Sequence, residues 1–469
     1  MSIFSSASEA RLGSLGITAL IPPPPLPNFI AEWAAILPLV CHLASQRDDY
    51  ITTGDVALLG RLSVGLFPRL GTLSGLSRLL GRGTKYLDHA STRGGSSRTV
   101  WDVKWGSVFP CANGAVCSTI SKFLLSRSKS SPEWMPEKRS SEPRNMDCKE
   151  PASRSCVAPK PVNSSVGSEM SNPSSREMHP KDEGIRRYQT LHVHQLCRAP
   201  KRRSLRDRFG QLRLSLPGRI IQFFVFISLA ALLGFLGSYG SAALVVCTSV
   251  SELVALSITI RRPTTYLKSN EIHDACMLVA PHENATEWHL YIGDRAVADT
   301  LLNKPMFVVP EGRGAGLASH WFWFANLLQF AAMTFVAAQK GWDGVWMVVL
   351  LAIHRTLRYS LYGGTLACDW LEREGIEAKV MSFKFGGRYA MMGAIQVLSG
   401  SGVTRWMDDI LVPHPRREAW LKCLRGEYIA GELNAHDTRW VETASEASLA
   451  AADVLKRLFG TRGGCEASV

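Results

Sequence analysis

The chain has 469 residues, with 53 Lys and Arg against 40 Asp and Glu, a formal net charge of +13 and a mean hydropathy of +0.02. The length admits two or three ordinary domains, and the average hides a split between almost wholly apolar runs and stretches rich in Ser, Pro, Lys and Arg. Many basic residues flank the apolar runs, which fits membrane-flanking charge and sets nucleic acid aside as a partner.

Residues 1–28 form a Pro-rich tail, with Pro22 to Pro25 and Pro27 favouring a stiff polyproline II spacer. Residues 29–45 are a short candidate span: Phe29 to Ala44 carries Glu32 and Pro38 and lies near the lower length limit for crossing a bilayer. Residues 47–217 read as a largely disordered, basic, cytosolic region, because Ser, Pro, Lys and Glu dominate from about 118 to 185 and no apolar period persists. Within it, Gly60 to Leu80 mixes apolar and basic residues in the manner of an interfacial helix. Arg127-Ser-Lys-Ser-Ser-Pro132 is a candidate phosphorylation string. Lys201, Arg202, Arg203, Arg206 and Arg208 form a basic cluster suited to anionic lipid or to setting topology.

Residues 218–262 predict a transmembrane helical hairpin. Ile220 to Gly237 carries no charge, Ser238-Tyr-Gly240 makes the turn, and Ser241 to Ile260 carries one charge, Glu252, before Arg261-Arg-Pro263. Ala230, Gly234 and Ser238 recur every four residues and offer a small-residue face for close helix contact. Residues 263–318 predict a small cytosolic α/β unit, with strands at Cys276–Val279, Trp288–Ile292 and Met306–Val309 and a helix at Ala296–Leu302. Residues 319–362 predict a second hairpin: Trp321 to Ala338, a turn at Lys340–Gly344, then Val345 to Ile353 with His354, Arg355 and Arg358 at its mouth. In the region 363–469, Met381, Phe383 and Phe385 alternate as in a strand. Tyr389 to Leu398 suggests a buried or interfacial helix. Thr443-Ala-Ser-Glu446 reads as a capping box opening a last helix, 443–459, with Leu455, Leu458 and Phe459 as its apolar stripe.

The fold class expected is therefore an α-helical polytopic membrane protein of about five spans, built on two helical hairpins, with a small α/β cytosolic insert and a disordered cytosolic region. The positive-inside rule places Arg186–Arg219, Arg261–Arg262 and Arg355–Arg358 in the cytosol. The cysteines are mostly singletons, among them Cys41, Cys111, Cys117, Cys247, Cys276 and Cys423. There is no Cys-x-x-Cys pair or zinc-like His/Cys array, so reduced thiols are expected.

The stretch Tyr266-Leu-Lys-Ser-Asn-Glu-Ile-His-Asp-Ala-Cys-Met-Leu-Val279, with His282 to Trp288 and Tyr291-Ile-Gly-Asp-Arg295, resembles a group of uncharacterised multi-span integral membrane proteins of filamentous fungi. The resemblance covers mainly residues 218–425. It implies a membrane location and no particular chemistry.

Glu252 is the one ionisable residue inside a confident span. A carboxylate in lipid is costly and is a candidate proton or cation site, the bland reading being a protonated Glu bonded to Ser228, Ser249 or another helix. His273-Asp274, His282-Glu283 and His289 crowd a short region, and Asp408-Asp409 are adjacent, without the spacing of a zinc signature. Gly312-Arg-Gly-Ala-Gly316 lacks the strand–loop–helix context of a phosphate loop. The sequons at Asn163 and Asn284 fall in segments assigned to the cytosol. No catalytic, cofactor-binding or metal-binding residue is predicted, and no cofactor. The expected function is a non-enzymatic membrane scaffold or regulator whose partners are the lipid bilayer, anionic lipid and other proteins. The alternatives are a small-solute or proton-coupled transporter using Glu252, and an enzyme with a site near His273 and His282.

Overall fold

The protein is seen here as a computed structural model that describes residues 24–45, 49–64, 71–92, 96–128, 131–136, 188–198, 216–339, 341–357, 365–427 and 433–460. Its centre is one seven-stranded mixed sheet. The strands are β1 (Thr99–Asp102), β2 (Val108–Pro110), β3 (Glu133–Trp134), β4 (Gln189–Arg198), β5 (Ala275–Ala280), β6 (Glu287–Gly293) and β7 (Ile376–Phe385), in the spatial order β2-β1-β5-β6-β4-β7-β3. Neighbours are antiparallel except β6/β4 and β7/β3, which are parallel.

Side chains alternate across a strand, so each strand feeds two faces. Trp101, Leu191, Val193, Cys276, Leu278, Trp288, Leu290, Phe383 and Phe385 enter one core. Helices α12 (Arg388–Ser399), α13 (Pro415–Arg425) and α14 (Ala435–Phe459) cover it. Val100, Leu196, Ala275, Met277, Val279, Tyr291 and Val380 enter the other. There they meet α2 (Asp49–Leu59), α3 (Thr72–Arg82), α5 (Gly114–Ser128), α8 (Arg295–Leu302) and α11 (Thr365–Glu374), with α4 (Thr84–Thr92) beside α3. A sheet covered on both faces explains strands such as β5, where all six residues are buried.

A third core lies away from the sheet. It joins α6 (Leu216–Phe235), α7 (Tyr239–Ser257), α9 (Arg313–Gln339) and α10 (Trp342–Leu357) through Phe226, Leu233, Leu244, Met333, Val336 and Met347, and α1 (Asn28–Ser45) packs on α9 and α10. Two helices run from one core to the other. The start of α9 places Ala315, Ala318, Phe322 and Ala325 against the sheet, and its end places Met333 and Val336 in the bundle. The end of α7 sends Val254 and Ala255 to the sheet side.

This overturns the five-span polytopic fold. Among the described residues only α7 and α9 are long and apolar enough to cross a membrane, whereas the apolar stretches Asn28–Cys41, Ile220–Phe235 and Trp342–His354 are shorter. Half of the apolar window of α7 is buried inside the protein itself. A hydrophobic run reports burial, and it reads alike whether protein or lipid does the burying. The small insert at 263–318 is likewise no separate unit: its strands β5 and β6 lie between β1 and β4 of the common sheet, and Met306–Val309 supplies only a single bridge, Arg261 to Val308. Within 47–217, where disorder was expected, α2, α3, α5, β1 and β4 stand in the core, α4 packs beside α3, β2 and β3 edge the sheet, and α3 is a buried helix rather than an interfacial one. Asn163, Lys201, Arg202, Arg203, Arg206 and Arg208 lie outside the described residues.

Candidate functional site

The most distinctive surface is the outside of the helical bundle. Phe29 and Trp33 on α1, Ile221 and Phe224 on α6, and Trp323 on α9 each expose more than half of their area. Ile36, Val40, Val225, Leu232, Phe324, Leu327 and Phe335 extend the same apolar exterior. The interior is held by polar contacts at one end. Asp343, buried at the start of α10, accepts from the backbone amides of Gly240 and Ser241 at 2.7 Å each, so its carboxylate closes the N-terminus of α7. Gly344 is required where α10 crosses α1, since a Cβ there would meet the backbone of Ala34 and Ala35 at 2.8 Å. Of the expected small-residue face, Ala230 and Ser238 are buried, but a Cβ at Gly234 would meet open space.

Glu252 is half-buried, near the end of α7 that packs on the sheet side. Its Oε2 accepts the backbone amide of Val64 at 2.7 Å. Ser249 donates to its own helix at Val245 O, 2.9 Å, and is not the partner expected from the sequence. The carboxylate thus fastens the segment after α2 to α7. The same corner uses Arg262, one of the basic residues assigned to topology. Its Nη1 donates to Ala57 O at 2.7 Å and Met306 O at 2.8 Å, and its guanidinium lies 4.6 Å from the Tyr266 ring. Arg373 donates to Leu58 O and Leu59 O. Helix α2 has no basic residue in its last turn, and these two distant arginines satisfy its carbonyl end.

The second site is a chain of buried polar groups on the sheet. The parallel register of β4 and β6 sets His192 beside His289 and His194 beside Tyr291. His192 Nδ1 lies 2.8 Å from Ser382 Oγ on β7, and His192 Nε2 lies 3.2 Å from Glu287 Oε1. His289 Nε2 lies 3.7 Å from the same oxygen, and His289 Nδ1 lies 3.1 Å from His194 Nε2. One set of tautomers satisfies the chain: Ser382 donates to His192, His192 and His289 present their Nε2–H to Glu287, and His194 donates to His289. His194 Nδ1 is then a bare acceptor, and the ring stacks on Tyr291 at 4.8 Å. Burial, with the His192 charge adding to it, pulls His194 down to about 3. Burial and then His194 push His289 well below its ordinary value. The bond from His192 holds Glu287 below the usual carboxylate range.

Ser382, His192 and Glu287 follow the order nucleophile, base, acid. Ser382, however, is buried in the middle of β7 between two paired strands, where a substrate carbonyl cannot reach its Oγ. The cluster is therefore a structural one. Among the described residues no group of three or more His, Cys, Asp or Glu is placed to hold a metal ion. Of the sequence candidates, His289 belongs to this chain, while His273, Asp274, His282 and Glu283 are exposed. Asp408 pairs with the buried Arg417 at 2.6 Å. Asn284 is exposed, its Oδ1 accepting from Arg388.

A third polar cluster was not anticipated. Arg295 at the start of α8 meets Asp102 at 2.7 Å, and Asp299 and Glu271 at 3.2 Å each. Asp299 is its own helix neighbour at i+4, whereas Asp102 and Glu271 lie far off in the sequence and only the fold brings them to it. Among the cysteines, Cys41, Cys111, Cys117, Cys247, Cys276, Cys368 and Cys423 are free thiols, as expected, whereas Cys197 is disulfide-bonded.

Comparison with known protein families, with characterised proteins and with solved structures returns no match.

Proposed function

We propose that the chain is a membrane-associated protein, a scaffold or regulator rather than an enzyme, whose α/β body is held at a bilayer by the apolar exterior of its helical bundle. The observation that carries this reading is that exterior. Large exposed aromatic and aliphatic side chains are concentrated on α1, α6 and α9, whereas on the sheet body such residues are scattered, as with Trp105, Ile272 and Val412. A concentration of exposed apolar side chains marks a membrane or a partner. Two helices of the bundle, α7 and α9, have the length and composition to cross a membrane. Transport through Glu252 is the weaker reading, because a carboxylate that exchanges a proton or cation must be free to do so, and Glu252 is engaged with the Val64 amide. Membrane association is tested by extracting membranes from cells expressing the full chain. The protein is expected to stay in the pellet through high salt and alkaline carbonate and to leave it only with detergent. Release by salt or carbonate alone would sink the proposal.

A further inference from the structure

The connection between β5 and β6 carries Asn284-Ala285-Thr286, an acceptor sequence for N-linked sugar. The fold presents it on a fixed turn. Ala285 N donates to His282 O and Asn284 N to His282 Nδ1, both at 3.1 Å, and Thr190 N donates to Thr286 O at 2.8 Å. Ala285 is buried in the core, and Trp288 Nε1 donates to its carbonyl at 3.0 Å. On either side of that anchor Asn284 and Thr286 are exposed, as are His282, Glu283 and Glu287. Arg388 donates to Asn284 Oδ1 from Nη1 at 3.2 Å and from Nη2 at 3.3 Å. The oxygen is thus the atom turned to the protein, and Nδ2, the atom that takes a sugar, lies across the carboxamide from it.

A second observation bears on the compartment. Cys197 on β4 is disulfide-bonded, and disulfides persist in oxidising surroundings. Strands β4, β5 and β6 are neighbours in one sheet, so the turn at Asn284 and the disulfide at Cys197 share a compartment. The free thiols are compatible with this. Cys111, Cys117 and Cys276 are buried in the body, where thiols are inert, and Cys41 lies on α1 of the apolar exterior. Cys247, Cys368 and Cys423 are partly covered and stand on three different helices. Positive charge does not argue the other way. Arg262, read from the sequence as a cytosolic signal, is spent inside the protein on Ala57 O and Met306 O, and large domains cross a membrane largely regardless of their charge.

We propose that Asn284 is an N-glycosylation site and that the α/β body stands in an oxidising, glycosylating compartment rather than in the cytosol. The donor is an oligosaccharide carried on a lipid diphosphate. Asn284 Nδ2 attacks the anomeric carbon, and the N–C bond forms as the anomeric C–O bond breaks. The lipid diphosphate leaves with the bonding electron pair, and one Nδ2 proton passes to water. Nothing is oxidised or reduced. The hydroxyl of Thr286 completes the sequence that the transferase reads.

The test expresses the full chain in eukaryotic cells and treats the denatured protein with peptide N-glycosidase. The wild type is expected to gain mobility. Asn284→Gln and Thr286→Ala are each expected to lack the glycan that Thr286→Ser keeps. Alkylation with N-ethylmaleimide at lysis, followed by tryptic mapping, is expected to label Cys197 only after reduction with dithiothreitol. A wild-type chain of normal abundance that does not shift overturns the proposal. So does a shift of unchanged size in both Asn284→Gln and Thr286→Ala, or a Cys197 alkylated without reductant. The outcome is separable from membrane association: a glycosylated chain released by alkaline carbonate would sink that reading and leave this one standing.

Discussion

His194 is wholly enclosed, and its native pKa near 3 means that the folded protein refuses a proton the unfolded chain accepts at about 6.5. His289 is shifted in the same direction. Below pH 6.5 the unfolded state therefore binds more protons, and stability is lost as pH falls towards the native values. The slope is up to about 1.4 kcal/mol per pH unit for each imidazole. Glu287, lowered by His192, loses its contribution in the more acidic part of the same range. Chemical denaturation in detergent at pH 7 and pH 5 should show a fall in stability that His194→Gln reduces. An equal fall in the variant would remove His194 as its source. At this scale the sequence shows the residue types and conceals their meeting. His289 stands out among its polar neighbours, but His192, His194 and Ser382 become its companions only through β-sheet register, across 95 residues between His194 and His289 and 190 between His192 and Ser382.

Elements are legible where local periodicity agrees with the final packing. The alternation at Met381, Phe383 and Phe385 belongs to β7, and the apolar stretch at 389–398 belongs to α12, buried at Met391, Met392 and Ile395. Strand β4 was hidden because its sheet-side positions are His192 and His194, polar residues satisfied by one another's strands, which break the apolar pattern a reader looks for. The last helix begins at Ala435, capped by Asn434 on Asp437 N at 2.8 Å. The Thr443 box is interior, with Thr443 Oγ1 donating back to Arg439 O at 2.9 Å, a bond that serine and threonine make in mid-helix. Helix α7 shows the opposite failure of local reading, since its cap comes from 103 residues away. Both Asp343 oxygens accept from its first amides. Asp343→Ala is expected to cost about 1–2 kcal/mol, the range for losing a helix cap, and to lower the thermal midpoint in detergent. Asp343→Asn keeps one acceptor and should cost less. Equal midpoints for the wild type and Asp343→Ala would show that the cap contributes nothing to stability.

Over the whole molecule the sheet is assembled from strands between residues 99 and 385, and the bundle helices α6, α7, α9 and α10 are inserted between those strands. Bundle and body are consequently interdependent: α9 carries core residues for both, and the Glu252 carboxylate of α7 ties down the segment at Val64. This interleaving is why hydropathy alone divides the chain at the wrong places. Residues 263–318 look self-contained in sequence, with three strands and a helix predicted in order. In the fold, β5 needs β1 on its outer edge, β6 needs β4, and both faces are covered by helices from elsewhere. Arg295 in that segment relies on Asp102 from β1. A unit of this size buries too little surface by itself to offset the loss of chain entropy. A peptide spanning 263–318 should therefore show a disordered far-ultraviolet circular dichroism spectrum in aqueous buffer, with no cooperative thermal transition. A cooperative transition with strand and helix signal would mean that the segment is a domain in its own right and that the shared sheet is a later docking of a preformed piece.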